Sequence, residues 1–168
     1  MFERLLGSTG EPLDYRAYAA IDGELPQDPK ECDAWLITGS RHGVYEELPW
    51  MLALEAFIRR AFADKVPVVG ICFGHQILAK ALGGKVVKSD KGWGLGHHQY
   101  QVTRKPDWMT GAPDSFAIAS VHQDQVVEVP KSGTVIASSE FCENAAIAYD
   151  DIALSFQGHP EFTETYQR

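Results

Sequence analysis

A cysteine set between two glycines constrains this chain more than any other feature of its sequence. The apolar residues 66–69 predict a buried strand, and residues 77–82 have the spacing of an amphipathic helix. Between them, Gly70 and Gly74 flank Cys72 as glycines flank the nucleophile of a strand–turn–helix elbow. The helix that follows directs its positive end at the sulfur, which favours thiolate over thiol. The pattern therefore predicts a nucleophilic cysteine at a sharp turn.

A structural role is the alternative interpretation of Cys72, because free cysteines often serve as small apolar fillers of a core. A filler does not need a glycine on each side. The flanking glycines and the polar pair His75-Gln76 directly after the turn favour the nucleophile.

A thiolate nucleophile needs a base, and His159 is the best candidate. The apolar residues 152–156 predict a strand that ends just before it, and active sites in open α/β sheets gather at the carboxyl ends of strands. Glu161 follows two residues later, so in an extended backbone both side chains face one side. A carboxylate there can hold the tautomer of the imidazole. Taken alone, His159 and Glu161 would each be interpreted as a surface residue. Together with the elbow, they predict a Cys72–His159–Glu161 triad.

Acyl transfer also needs hydrogen-bond donors that stabilise the oxyanion of the tetrahedral intermediate. The backbone N–H of Phe73, directly after the nucleophile, is one donor by elbow geometry. The second is expected from a loop at a neighbouring strand end, and Gly39, after the predicted strand at residues 34–37, fits this position. An ordinary turn glycine is an equally good interpretation of Gly39 from the sequence alone.

Composition limits the other functions. The net charge is −8 with no basic cluster, which argues against a nucleic-acid partner. No apolar run approaches the ~20 residues that span a bilayer, and no signal peptide is recognisable, so no membrane partner is expected. Three scattered cysteines indicate a reducing compartment, which predicts a cytoplasmic protein. The histidines lack chelating spacing, so neither a metal nor another cofactor is expected.

The order of elements indicates the fold. Apolar patterns predict strand, helix, strand and helix at residues 34–37, 48–62, 66–71 and 76–82, followed by seven short strands. This order favours an α/β fold with right-handed crossovers. We expect residues 1–168 to form one domain with a mostly parallel open sheet flanked by helices. The later strands are expected to extend that sheet and add a smaller antiparallel layer.

The paired motifs resemble the class I (triad) glutamine amidotransferases, which have a flavodoxin-like sheet. The resemblance covers most of the chain and is greatest to the stand-alone members of the GMP-synthase type. It rests on residues 70–76, followed by His159-Pro160-Glu161 in the expected order, and on three supporting segments, which are residues 38–40, 93–96 and 120–126.

The resemblance implies a role for each residue. Cys72 would attack the side-chain amide of glutamine and form a γ-glutamyl thioester. His159 would protonate the departing ammonia and then activate water, with Glu161 orienting it, while Gly39 and Phe73 would bind the oxyanion. The residues implied to hold the substrate are Gln76, Ser120, Val121 and His122. No synthetase domain fits in 168 residues, so an ammonia acceptor would lie on a separate chain.

Three alternatives remain open. A γ-glutamyl peptidase would cleave the same amide of a γ-glutamyl peptide or conjugate with a larger amine as leaving group. A non-catalytic or regulatory member is disfavoured by the complete triad, and an α/β-hydrolase-like enzyme by the position of Glu161 after His159. The ends depart from the family pattern, because residues 1–6 read as a helix or loop instead of the usual first strand, and the usual closing helix is missing after Glu161.

Overall fold

The computed structural model describes residues 1–163. Its helices are α1 (Phe2–Gly7), α2 (Pro49–Ala63) and α3 (Phe73–Ala81). Its strands are β1 (Trp35–Ile37), β2 (Val68–Ile71), β3 (Lys85–Lys88), β4 (Gly94–Val102), β5 (Ser115–His122), β6 (Asp124–Glu128), β7 (Gly133–Ser138), β8 (Ala146–Tyr149) and β9 (Ala153–Phe156). Short 3-10 turns lie at Ala20–Asp22, Pro29–Glu31 and Val44–Glu46. The predicted elements are confirmed, but α3 begins at Phe73, directly after the cysteine, rather than at residue 76.

Seven of the described strands form one sheet in the order β1-β2-β9-β8-β7-β4-β5, and β3 pairs with β6 in a second sheet. Strands β1, β2 and β9 are parallel to one another, and the remaining pairs of the large sheet are antiparallel. The α/β class and the small antiparallel layer are confirmed. The large sheet is mixed and holds more antiparallel pairing than expected, because the short connections around β8 allow only hairpins.

Helices α2 and α3 pack on each other, and α3 lies against β1, β2 and β9. Pro49 occupies the first turn of α2, where its missing N–H costs nothing. The apolar positions of α2 are spaced at the helical period and form a buried stripe, which consists of Met51, Leu54, Phe57, Ile58 and Ala61. A second apolar cluster, built around Tyr100 and Ile136, fills the antiparallel half. Within the described residues, no helix is long and apolar enough to cross a membrane.

The elbow glycines allow close backbone packing. A Cβ atom at Gly74 would overlap the carbonyl oxygen of Ile37 in β1, and one at Gly70 would overlap the carbonyl group of Gly74. The left-handed conformation at the turn belongs to Cys72 itself, with φ of 54°. The two glycines therefore allow the first turn of α3 to pack directly against the end of β1 and the elbow backbone. The sharp bend itself lies at the cysteine.

We predict that Gly74→Ala lowers the free energy of unfolding by about 2 kcal/mol or more, because neither the α3 backbone nor the β1 carbonyl can move without disturbing the sheet. Urea denaturation measures the change. Gly7→Ala is the matched control, since a Cβ there meets nothing within 4 Å, and its stability should be unchanged or slightly higher. Equal stabilities of the two variants would contradict the close-packing role of Gly74.

Candidate active site

The predicted catalytic residues meet at the carboxyl ends of the three parallel strands. Cys72 directly follows β2, the central strand of the three. Gly39 follows β1 on one side, and His159 follows β9 on the other. Because neighbouring parallel strands end at one edge of the sheet, three segments distant in sequence converge there.

Cys72 is the N-cap residue of α3, with φ of 54° and ψ of −103°. A residue other than glycine in such a conformation is strained, and surrounding contacts must hold it in place. One such contact is the hydrogen bond that the Cys72 N–H donates to the carbonyl of Phe156 at the end of β9, at 2.8 Å. The side chain is 8% exposed, so the sulfur lies in a protected position at the helix N-terminus.

The backbone of His159 is held by a contact with strand β5. The His159 N–H donates to the carbonyl of Ala119 at 2.8 Å, and these two residues form an isolated antiparallel bridge. The His159 ring stacks on Phe162 with centroids 4.2 Å apart. Its Nδ1 lies 2.8 Å from Glu161 Oε1. Since a carboxylate only accepts hydrogen bonds, Nδ1 carries the proton, and Nε2 is the nitrogen available to the Cys72 thiol.

Burial of His159 disfavours its charged form. Hydrogen bonds with Cys72 and Glu161, and the negative charges of these groups, outweigh burial and raise the pKa of His159 to about 9. The environment of the ring thus favours the imidazolium, which is the partner that a thiolate requires.

Gly39 lies directly beside the cysteine and the histidine. A Cβ atom at Gly39 would lie 3.2 Å from Cε1 of His159 and 3.8 Å from Cβ of Cys72. Phe73 is the first residue of α3, where backbone N–H groups lack acceptors within the helix. Both residues expected to bind an oxyanion are therefore next to the sulfur-bearing turn.

Gln76 lies in the first turns of α3 and is 3% exposed. Its Nε2 donates to the carbonyl of Asp124 at 3.1 Å and to Oε1 of Gln157 at 3.2 Å. Both N–H groups of the amide therefore have protein acceptors.

The segment at residues 120–122 forms the end of β5, where side chains alternate between two faces. Ser120 is buried and donates to the carbonyl of Gly94, whereas Val121 is 44% exposed. His122 is buried, and its Nδ1 lies 3.1 Å from the carbonyl of Asp124. Burial lowers the pKa of His122 to about 4, so the ring is neutral and its Nδ1 donates to that carbonyl.

Two buried residues near the site were not identified from the sequence. Gln157 stands inside the segment that carries His159, and it is fully buried. The sequence indicated no contact for His75; it is buried, and its Nδ1 lies 2.7 Å from Oγ of Ser155 in β9. Burial lowers the pKa of His75 to about 3. The motifs contained both residues, but nothing in the sequence indicated which partners they contact.

Comparisons with known proteins identify the family. The family model of class-I glutamine amidotransferases matches residues 13–168. Gamma-glutamyl peptidase 3 of Arabidopsis thaliana is 33% identical over 172 residues, covering 98% of this chain and 68% of that protein. A glutamine-hydrolyzing GMP synthase subunit of Methanopyrus kandleri is 36% identical over 108 residues, covering 60% of this chain and 55% of that protein.

A solved structure is similar in fold over nearly the whole chain. The glutamine amido transferase from Methylobacillus flagellatus matches with a TM-score of 0.83 and 30% identity, covering 96% of this chain and 65% of that one. The chain thus spans about two thirds of the length of this structure and of the Arabidopsis protein. The chain belongs to the class I glutamine amidotransferase family.

The raised pKa of His159 predicts a pH-dependent stability. The folded state holds this proton more tightly than the unfolded chain, so the stabilisation is complete below the ordinary value of 6.5 and is lost as the pH rises through about 9. We expect a loss of roughly 1–2 kcal/mol across this range, because solvent screens part of the interaction and part of the shift depends on the charge of Cys72. Urea denaturation at a series of pH values from about 6 to about 10 should show a weaker dependence for His159→Gln and for Glu161→Gln. Equal slopes in all three proteins would contradict the assignment.

Proposed function

We propose that the protein hydrolyses the γ-amide of glutamine or of another γ-glutamyl compound through a covalent thioester at Cys72. The observation that carries this proposal is the triad geometry. A strained cysteine lies at a helix N-terminus, within hydrogen-bonding reach of a histidine that a buried glutamate orients. This combination of nucleophile, base and orienting acid is what acyl transfer requires.

The reaction begins with attack of the Cys72 thiolate on the amide carbon. The N–H groups of Gly39 and Phe73 stabilise the oxyanion that forms; loss of one such donor typically costs ~3–4 kcal/mol of transition-state stabilisation. His159 Nε2 donates its proton to the departing nitrogen, which leaves a γ-glutamyl thioester. His159 then accepts a proton from water, which attacks the thioester and releases glutamate. Glu161 keeps the ring oriented in both steps.

Substrate positioning is assigned to the residues around the first turns of α3 and the end of β5. The carbonyl oxygen of Gln76 accepts a hydrogen bond from the substrate, because its N–H groups already have acceptors. The segment that comprises Ser120, Val121 and His122 adjoins the strand position that holds His159, which supports its role in holding the amino-acid end of the substrate.

Two leaving groups are compatible with this site. With glutamine as substrate the product is ammonia, which a separate synthetase chain would use, and the similarity to the Methanopyrus GMP synthase protein supports this alternative. With a γ-glutamyl peptide or conjugate the product is a larger amine. The similarity to a protein named gamma-glutamyl peptidase extends over 98% of this chain and supports the second alternative.

The cellular setting is part of the same proposal. Cys32, Cys72 and Cys142 are all free thiols in the described structure, which suits a reducing compartment such as the cytoplasm. Residues 1–168 are proposed to act as a single amidotransferase-like domain.

Cys72→Ala should abolish release of ammonia or amine from a panel of glutamine, glutathione and γ-glutamyl amides, because no other group supplies the nucleophile. Coupled assays for glutamate and for each amine measure the rates. Cys32→Ala, at a partly exposed cysteine outside the triad, is the control and should retain the rates of the unmodified protein.

Thermal unfolding of each variant verifies that the protein is folded. If the folded unmodified protein releases nothing from any substrate of the panel, the proposed hydrolysis is wrong. If Cys72→Ala keeps its activity, the assignment of the nucleophile is wrong.

A further inference from the structure

Gln157 connects the segment that carries His159 to helix α3, which carries Gln76. It follows β9 directly and is fully buried, and its N–H donates to the carbonyl of Ala145 at 2.8 Å, which fixes its backbone. Its side-chain Oε1 accepts a hydrogen bond from Nε2 of Gln76 at 3.2 Å. Gln157 stands two residues before His159, so one short segment carries both the general base and a contact to α3.

The carbonyl of Asp124 completes the environment of the Gln76 amide. It accepts one hydrogen bond from Gln76 Nε2 and another from Nδ1 of His122, each at 3.1 Å. A carbonyl oxygen has two lone pairs and cannot donate, so both neighbours must present N–H groups to it. The Gln76 nitrogen is thus held between two oxygens.

This arrangement determines which way the Gln76 amide points. The oxygen and nitrogen of a glutamine amide have nearly the same size, so shape alone does not select an orientation. In the reversed orientation the Gln76 oxygen would face the Asp124 carbonyl, which cannot donate, and that buried hydrogen bond would be lost. The hydrogen bond to Gln157 would be lost as well unless the Gln157 amide turned over at the same time, since its buried Nε2 has no partner of its own. The Asp124 carbonyl provides one acceptor from the backbone, and Gln157 provides the other from a side chain.

We propose that Gln157 is a positioning residue that locks the Gln76 amide with its oxygen directed to the substrate. This inference rests on the proposed function, in which Gln76 accepts a hydrogen bond from the γ-glutamyl substrate. Gln157 itself does not touch the reacting atoms. Its loss weakens substrate binding through Gln76 and leaves the triad chemistry in place.

The kinetic test compares two buried glutamines. Gln157→Met keeps the size of the side chain and removes the acceptor, so KM should rise about 10-fold while kcat changes little. Gln157→Glu keeps an acceptor oxygen and should restore KM toward that of the unmodified protein. Gln125→Met is the matched control: Gln125 is 6% exposed, and its side chain donates to the carbonyl of Phe141 instead of bonding to Gln76. Its KM should not change.

A double variant separates positioning from a general structural effect. In a Gln76→Ala background, Gln157→Met should produce no further rise in KM, because the group that it orients is gone. A rise of the same size in both backgrounds would overturn the proposal. So would an unchanged KM in Gln157→Met, or a rise of the same size in Gln125→Met.

A measurement independent of turnover tests the lock itself. The side-chain NH₂ protons of Gln76, observed by ¹⁵N-resolved NMR, should exchange slowly with solvent in the unmodified protein and much faster in Gln157→Met. Equal exchange in the two proteins would overturn the proposal. This result does not depend on catalysis, so absence of hydrolysis would count against the proposed function and the exchange data would still decide the role of Gln157.

Discussion

The close approach of helix α3 to strand β1 is the constraint on which the rest of the site depends. Gly74 lies against the carbonyl of Ile37 with no space for a side chain, so the first turn of α3 is held over the ends of the parallel strands. This contact directs the helix N-terminus at Cys72, and the cysteine at the turn has a positive φ of 54°. The positive end of the helix and the first-turn N–H groups, which lack acceptors within the helix, then act on the sulfur and its neighbours.

The segment after β9 carries several groups of the site on alternate residues of one short, bent stretch. Gln157 contacts α3, His159 faces the cysteine, and Glu161 orients His159. The bridge to Ala119 in β5 holds this stretch from the other side. The proposed general base, its carboxylate partner and the contact to α3 therefore lie on one short segment, and displacement of β5 would affect all of them.

The sequence was sufficient to predict those features of the fold and the candidate site that depend on local sequence patterns. The elbow and the order of His159 and Glu161 predicted the position of the site, since strand ends and short spacings are local properties. The two side chains meet as expected, but across a turn at residues 160–161 and not in an extended backbone. The direction of the later strands was harder to predict, because apolar runs do not encode whether the neighbouring strand is parallel. The contact between Gln76 and Gln157 joins residues 81 positions apart, and no local pattern indicates such a partner. The left-handed φ of Cys72 likewise results from packing, although the glycines had suggested a sharp turn.

The central claim is that Cys72 forms a γ-glutamyl thioester, and acid-quenched mass spectrometry of the intact enzyme during turnover tests it most directly. Acid preserves a thioester while it stops hydrolysis. The account predicts a mass increase of one γ-glutamyl group, located by peptide mapping on the fragment that contains Cys72 and discharged on return to neutral pH. Accumulation of the group on Cys32 or Cys142, or steady turnover of the unmodified enzyme with no acylated Cys72 in samples quenched across the time course, would contradict it.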